Sequence, residues 1–185
     1  MERTEIEVRF LEINAAGLKA KLADLGAVDG GETLLDEMIF YDDALAWKTQ
    51  KRFVRLRRAD GVTMATHKQY PQDADGMPQE IEFGVSDLET AALFLERIGL
   101  RLFRHQQKYR HTLRLGDVHF DFDTWPQIPT YVEVEGPSIA AIRLAAEGAG
   151  LCWADAVTLD PKDIIEVRYR IPVGDMHWFT FDRFE

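Results

Sequence analysis

Short runs of strictly alternating apolar and polar residues dominate the chain. They predict strands over roughly 4–11, 34–41, 53–59, 62–69, 79–85, 107–115, 117–123 and 130–136. Helical spacing interrupts them three times. Leu18, Leu22 and Leu25 predict a helix from about Asn14 to Leu25, stopped by Gly26. A second runs from Leu88 to Ile98, with Ser86 or Asp87 as N-cap and Gly99 as its stop. A third begins after Ser138, carries Ile139, Ile142 and Ala146 on one side, and ends at Gly148 or Gly150. A weaker turn of helix follows Asp160-Pro161, since proline suits the first helical position. Eight strands and three helices read as an α+β domain with a dominant antiparallel sheet. The stretches Arg58–Gly61 and Leu115–Asp117 read as hairpin turns.

Side chains two apart on a strand share a face. That parity sorts the charges. Glu5, Glu7 and Arg9 lie opposite Ile6, Val8 and Phe10. Arg55 and Arg57 oppose Val54 and Leu56, Thr66 and Lys68 oppose Ala65 and His67, and Glu80 and Glu82 oppose Ile81 and Phe83. Lys108 and Arg110 flank Tyr109, Asp121 and Asp123 flank Phe122, and Glu133 and Glu135 flank Val134. An ordinary sheet with one wet face would also show charge on alternate positions. Like charges in doublets, however, cost stability. They make sense when doublets from different strands converge on something charged. A sheet curled with this face inward and helices over its apolar outside predicts a closed eight-stranded barrel with a charged interior.

Composition narrows the partners. The chain has 185 residues, 46% hydrophobic and 29% charged, which is the size of one domain, 1–185. The loops Asp42–Lys51 and Tyr70–Met77 are too short for domain boundaries. A net charge of −10 argues against nucleic acid or anionic membrane as partners. The opening Met1–Phe10 lacks an apolar signal core, and no run reaches membrane-span length, so the expected location is cytoplasmic. The single cysteine, Cys152, reads as a small buried hydrophobe. His67, His105, His111 and His119 lack metal spacing and read as structural or surface residues. Trp125-Pro126 and Ile128-Pro129 read as a rigid turn. The tail Met176–Phe184 is too aromatic to float, and predicts packing on the barrel or on a second copy in a homodimer.

The charged face supplies the chemistry. Carboxylates without nitrogen or sulfur companions suit hard cations, Mg²⁺ or Mn²⁺. Arginine forks and lysines suit phosphate oxygens. Together they predict an interior that binds a metal–polyphosphate complex.

These residues, taken in order, resemble the CYTH superfamily of triphosphate tunnel metalloenzymes, which includes class IV adenylate cyclases, thiamine triphosphatases and inorganic triphosphatases. The resemblance rests on EIEVR at 5–9, RLR at 55–57, THK at 66–68, EIE at 80–82, KYR at 108–110, DFD at 121–123 and VEVEG at 132–136. It implies phosphate contacts from Arg9, Arg55, Arg57, Lys68, Lys108 and Arg110. It implies metal ligation by Glu5, Glu7, Glu133 and Glu135 with Asp121 or Asp123, catalysis by Glu5, Glu7 and Arg9, and support from Glu80 and Glu82. Arg9 stands where the family has lysine; a guanidinium stays protonated and cannot act as a general base. The implied activity is hydrolysis of a phosphoanhydride in tripolyphosphate, a nucleoside triphosphate or thiamine triphosphate. The alternatives are cyclisation of ATP to cyclic AMP and pyrophosphate, and polyphosphate binding without chemistry.

Overall fold

A computed structural model describes residues 2–4, 6–70 and 79–185, the first three by backbone alone. Glu5 and most of the Tyr70–Met77 loop therefore lie outside the described residues. The strands are β1 (Glu2–Thr4), β2 (Glu7–Phe10), β3 (Val28–Asp42), β4 (Arg52–Ala59), β5 (Val62–Gln69), β6 (Gln79–Val85), β7 (Leu100–Leu115), β8 (Val118–Thr124), β9 (Tyr131–Glu135) and β10 (Trp178–Phe179). The α-helices are α1 (Ala15–Asp24), α2 (Ala46–Thr49), α3 (Leu88–Arg97), α4 (Ile139–Gly148) and α5 (Pro161–Asp163).

The chain divides into two compact units. The first comprises Met1–Glu5, Leu34–Gln107 and Met176–Glu185. Its strands run in the order β1-β6-β5-β4-β3-β7, with β10 added in parallel to β7. The second comprises Ile6–Thr33 and Lys108–Asp175, with strand order β3-β7-β8-β9-β2. The long strands β3 and β7 contribute to both. Apart from β10 the strand pairs given by register are antiparallel, as the alternation predicted. Among the described residues hydrogen bonds do not close the sheet into a ring, so the predicted closed eight-stranded barrel is not shown.

Local chemistry explains the elements. Asn14, Asp87 and Ser138 each cap a helix, accepting from the backbone N–H of Gly17, Thr90 and Ala141. Each of these helices is followed by a glycine in the left-handed region: Gly26 at φ 85°, Gly99 at 95° and Gly150 at 90°. The β4–β5 hairpin turns on Asp60 and Gly61, both at positive φ, between the paired Ala59 and Val62.

In the second unit the apolar sides of β2, β8 and β9 give Val8, Phe10, Phe120, Phe122, Val132 and Val134 to a core sealed by Leu18 and Leu22 of α1 and Ile142 and Ala146 of α4. In the first unit α3 covers Phe40, Leu56, Ala65 and Leu100. That cover is incomplete: Ile81 and Phe83 of β6 stay 49% and 59% exposed.

Other expectations shift in instructive ways. β3 begins at Val28 and β7 at Leu100, both well ahead of the predicted starts. The predicted strand 4–11 is two strands: β1 pairs with β6 and β2 with β9. Cys152 is exposed, not buried. It follows the Gly150 stop on an extended stretch whose neighbours Leu151 and Trp153 take the core side. The tail packs within its own unit. Trp178 pairs with His105 and stacks on its ring at 4.2 Å, and Phe179 is fully buried.

Candidate functional site

Strand parity assembles an acid-rich face in the second unit. Register places Arg9 of β2 opposite Glu133 of β9, and Glu133 opposite Asp121 of β8. Asp121 in turn faces Thr112 of β7. One step along, Glu7 faces Glu135, and Glu135 faces His119. Directly opposed side chains share a face. His119 therefore stands on the charged side, beside Glu135, where the sequence reading treated it as an incidental sheet residue.

The charges are tightly interlocked. Arg9 Nη2 lies 2.6 Å from Glu7 Oε1 and 2.6 Å from Glu133 Oε2. Arg110 donates from Nη1 to Asp121 Oδ2 at 2.8 Å, from Nε to Asp123 Oδ1 at 2.7 Å, and from Nη2 to Glu133 Oε1 at 2.9 Å. Lys108 Nζ donates to Asp123 Oδ2 at 2.6 Å, and Thr112 Oγ1 to Asp121 Oδ1 at 2.5 Å. Burial alone would favour deprotonating Arg110, but Asp123, Glu133 and Asp121 outweigh it and hold the guanidinium firmly protonated. The same surroundings act on Tyr131. Burial first, then Asp123 and Glu133, push its phenol well above its ordinary value, so it stays neutral. Its oxygen accepts from Trp125 Nε1 at 3.0 Å, and Lys108 sits 5.0 Å above the Trp125 ring. The predicted rigid turn thus also supports the Lys108 side chain.

The first unit carries a cation-rich face. Register sets Glu37 of β3 opposite Arg57 of β4, with Arg55 one step along on the same side. Glu37 is 2% exposed and accepts from Arg57 Nε at 2.6 Å. Its other oxygen accepts from Gln106 Nε2 at 2.6 Å, and Gln106 accepts from Arg104 Nε at 2.8 Å. Lys68 Nζ meets Glu80 at 2.6 Å, and Thr66 donates to Glu82 at 2.7 Å. Arg55 is engaged most loosely. Its Nη1 is 3.7 Å from Glu37, and its buried Nε has no hydrogen-bond partner among the described residues. Buried donors are nearly always satisfied, so this one fits a water or an anion.

Glu37, Arg104 and Gln106 escaped the sequence reading. Glu37 is a lone charge between Asp36 and the apolar run Met38–Tyr41, so no doublet flags it. Arg104 and Gln106 fell outside a strand read from 107. Extending the parity of Lys108 and Arg110 two steps back would have found both.

Among the described residues no three His, Cys, Asp or Glu side chains are placed to share an ion. Asp121, Asp123 and Glu133 are engaged by cations, and Glu7 meets Arg9 through Oε1. The directly opposed Glu7 and Glu135 form an all-oxygen pair suited to a hard divalent cation. Glu5, two residues before Glu7, lies outside the described residues.

Comparison with known proteins follows the same line. The CYTH domain model matches residues 3–148. No curated protein matches the chain. Among solved structures, the PH1012 protein of Pyrococcus horikoshii is 24% identical, with TM-score 0.69, covering 83% of this chain and 94% of that one. An adenylate cyclase candidate from Vibrio parahaemolyticus is 16% identical, with TM-score 0.76 over 89% of this chain and 98% of that one. An adenylyl cyclase candidate from Hippeastrum, described as having a dominant triphosphatase activity, is 13% identical, with TM-score 0.64 over 91% and 96%. At these identities the likeness is one of fold.

Proposed function

Because the chain belongs to the CYTH domain family, we propose that it is a metal-dependent enzyme that hydrolyses a phosphoanhydride bond of a triphosphate-containing substrate. The observation that carries this reading is Arg55, a largely buried guanidinium whose Nε has no hydrogen-bond partner among the described residues. A planar fork of donors in that state fits phosphate oxygens. Arg57 and Lys68 of the same unit supply further positive charge, oriented by Glu37 and Glu80, and in the second unit Lys108 and Arg110 are oriented by Asp123 and Asp121.

Glu7 and Glu135, with Glu5, would hold Mg²⁺ or Mn²⁺. Such a cation supplies neutralisation of the charge that develops on phosphate oxygens. Glu133 links Arg9 to Arg110 and so keeps two cations at fixed separation. Arg9 remains protonated, so the proton of an attacking water passes to a carboxylate and not to Arg9. Action on one small triphosphate ligand belongs to this proposal. The same face would serve cyclisation of ATP, since fold does not choose between them.

The experiment gives purified protein Mg²⁺ or Mn²⁺ with tripolyphosphate, ATP or thiamine triphosphate, and measures phosphate, pyrophosphate and cyclic AMP separately. Phosphate release is expected. Arg55→Ala should raise KM at least tenfold, and Glu7→Gln or Glu135→Gln should raise the metal concentration needed. Cyclic AMP with equimolar pyrophosphate would assign the cyclase activity instead. No turnover on any substrate, with full polyphosphate binding, would leave a binding module.

A further inference from the structure

Arg9 makes two kinds of contact at once. Its Nη2 is shared by Glu7 and Glu133 on the acid-rich face. Its Nη1 donates to the backbone carbonyl of Leu159 at 2.9 Å. The backbone of Arg9 is joined to the same segment, with N donating to Val157 O at 2.8 Å and O accepting from Val157 N at 2.9 Å. The Arg9 side of these bonds is buried, the residue being 3% exposed.

The segment Arg9 reaches is the entry to α5. Asp160, next to Leu159, caps that helix by accepting from Asp163 N at 2.9 Å. The Asp160 carboxyl is pushed up by burial, while Arg9 is among the charges pulling it down, which places the cap within the field of Arg9. Beyond the cap, Ile164 and Ile165 are fully buried and fix the far end of the segment. Its near end, with Leu159 46% exposed, meets Arg9 through the Leu159 carbonyl.

We propose that Arg9 is a positioning residue that ties the Val157–Asp160 segment to the carboxylates Glu7 and Glu133, so that the entry to α5 is held in register with the acid-rich face. The planar fork is what makes this work. It offers separate terminal nitrogens pointing in different directions, one for carboxylates and one for a carbonyl. A lysine ammonium has its three donors on one atom and lacks the separate terminal nitrogens that reach both sides. The effect on catalysis rests on the proposed function; the tie itself does not.

The test is Arg9→Lys in the full chain. Hydrogen–deuterium exchange is read at the amides of Val157, Asp163 and Ile164, with peptides from α4 as internal reference. Losing one hydrogen bond from a charged donor should speed exchange there about tenfold and leave α4 unchanged. On tripolyphosphate, Arg9→Lys should raise KM by a larger factor than it lowers kcat, because a cation is kept beside Glu7 and Glu133 while the segment loosens. Wild-type exchange at all three amides in Arg9→Lys overturns the tie. So does a rise that is equal in α4, which would mean general destabilisation. If Arg9→Lys does not fold, Val157→Pro removes the segment's N–H to Arg9 O while leaving the Arg9 side chain. The amides of Asp163 and Ile164 should then exchange faster, and unchanged rates count against the proposal. A wild-type protein without turnover defeats the proposed function and leaves the exchange result to decide the tie.

Discussion

Glu37→Ala tests the cation-rich face most sharply. The Glu37 carboxylate is 2% exposed and takes Arg57 Nε and Gln106 Nε2, each at 2.6 Å. Alanine removes the acceptor that the Arg57 guanidinium and the Gln106 amide share. Removing one partner of a buried ion pair costs roughly 3–5 kcal/mol. Glu37→Gln keeps an acceptor for Arg57 but turns its own NH2 toward the Gln106 amide donor, so it loses the charge and one hydrogen bond and should cost about 1.5–3 kcal/mol. For a chain of this length each kcal/mol moves Tm by about 2–4 °C. The alanine variant should therefore melt about 6–20 °C below wild type, and the glutamine variant should fall between. Because the chain has two compact units, calorimetry must first show whether it melts in one step or two, and the loss belongs to the step that unfolds residues 34–107. Arg55 and Arg57 lose their shared anchor, so tripolyphosphate affinity should fall in parallel. An alanine variant that melts within about 2 °C of wild type would refute the view that Glu37 organises this cluster.

The remaining predictions concern other parts of the molecule. Asp123→Asn removes the charge that meets Lys108 at 2.6 Å and Arg110 at 2.7 Å with no exposed surface, and should cost about 3–5 kcal/mol in a denaturant melt. Burial, partly offset by Asp36 and reinforced by Arg183, lowers the folded-state pKa of His105 below its ordinary 6.5. The folded form then binds fewer protons than the unfolded form, so stability from this site is complete above about pH 6.5 and is lost as pH falls through the lowered value. His105→Phe keeps an aromatic ring against Trp178 and should flatten the Tm profile between about pH 5 and 7; a profile as steep as wild type would refute the assignment. Gly136→Ala places a Cβ 3.0 Å from Ile142 Cγ1 and 3.2 Å from Val118 Cγ2, and should destabilise by about 1–3 kcal/mol in the same melt.

The local order of this protein was legible because it is set by near neighbours. Strand β5 spans Val62–Gln69 and β6 spans Gln79–Val85, the ranges alternation predicted. The caps at Asn14 and Asp87 and the glycine stops at Gly26, Gly99 and Gly150 follow from single-residue backbone chemistry. Parity alone put Glu7 with Arg9, and Asp121 with Asp123, on faces away from the core. Which strand each doublet would meet was beyond it. A strand pair is fixed by register between residues distant in sequence, and only tertiary packing set Arg9 against Glu133 and Glu37 against Arg57. That is why the lone Glu37 passed unnoticed, why His119 proved to stand beside Glu135, and why Arg9 could be seen to reach the Leu159 carbonyl 150 residues away. The sequence by itself determined which side chains are charged and which way they face on each strand. Tertiary structure decided which charges touch, because ion pairing depends on distance through space and not on separation along the chain.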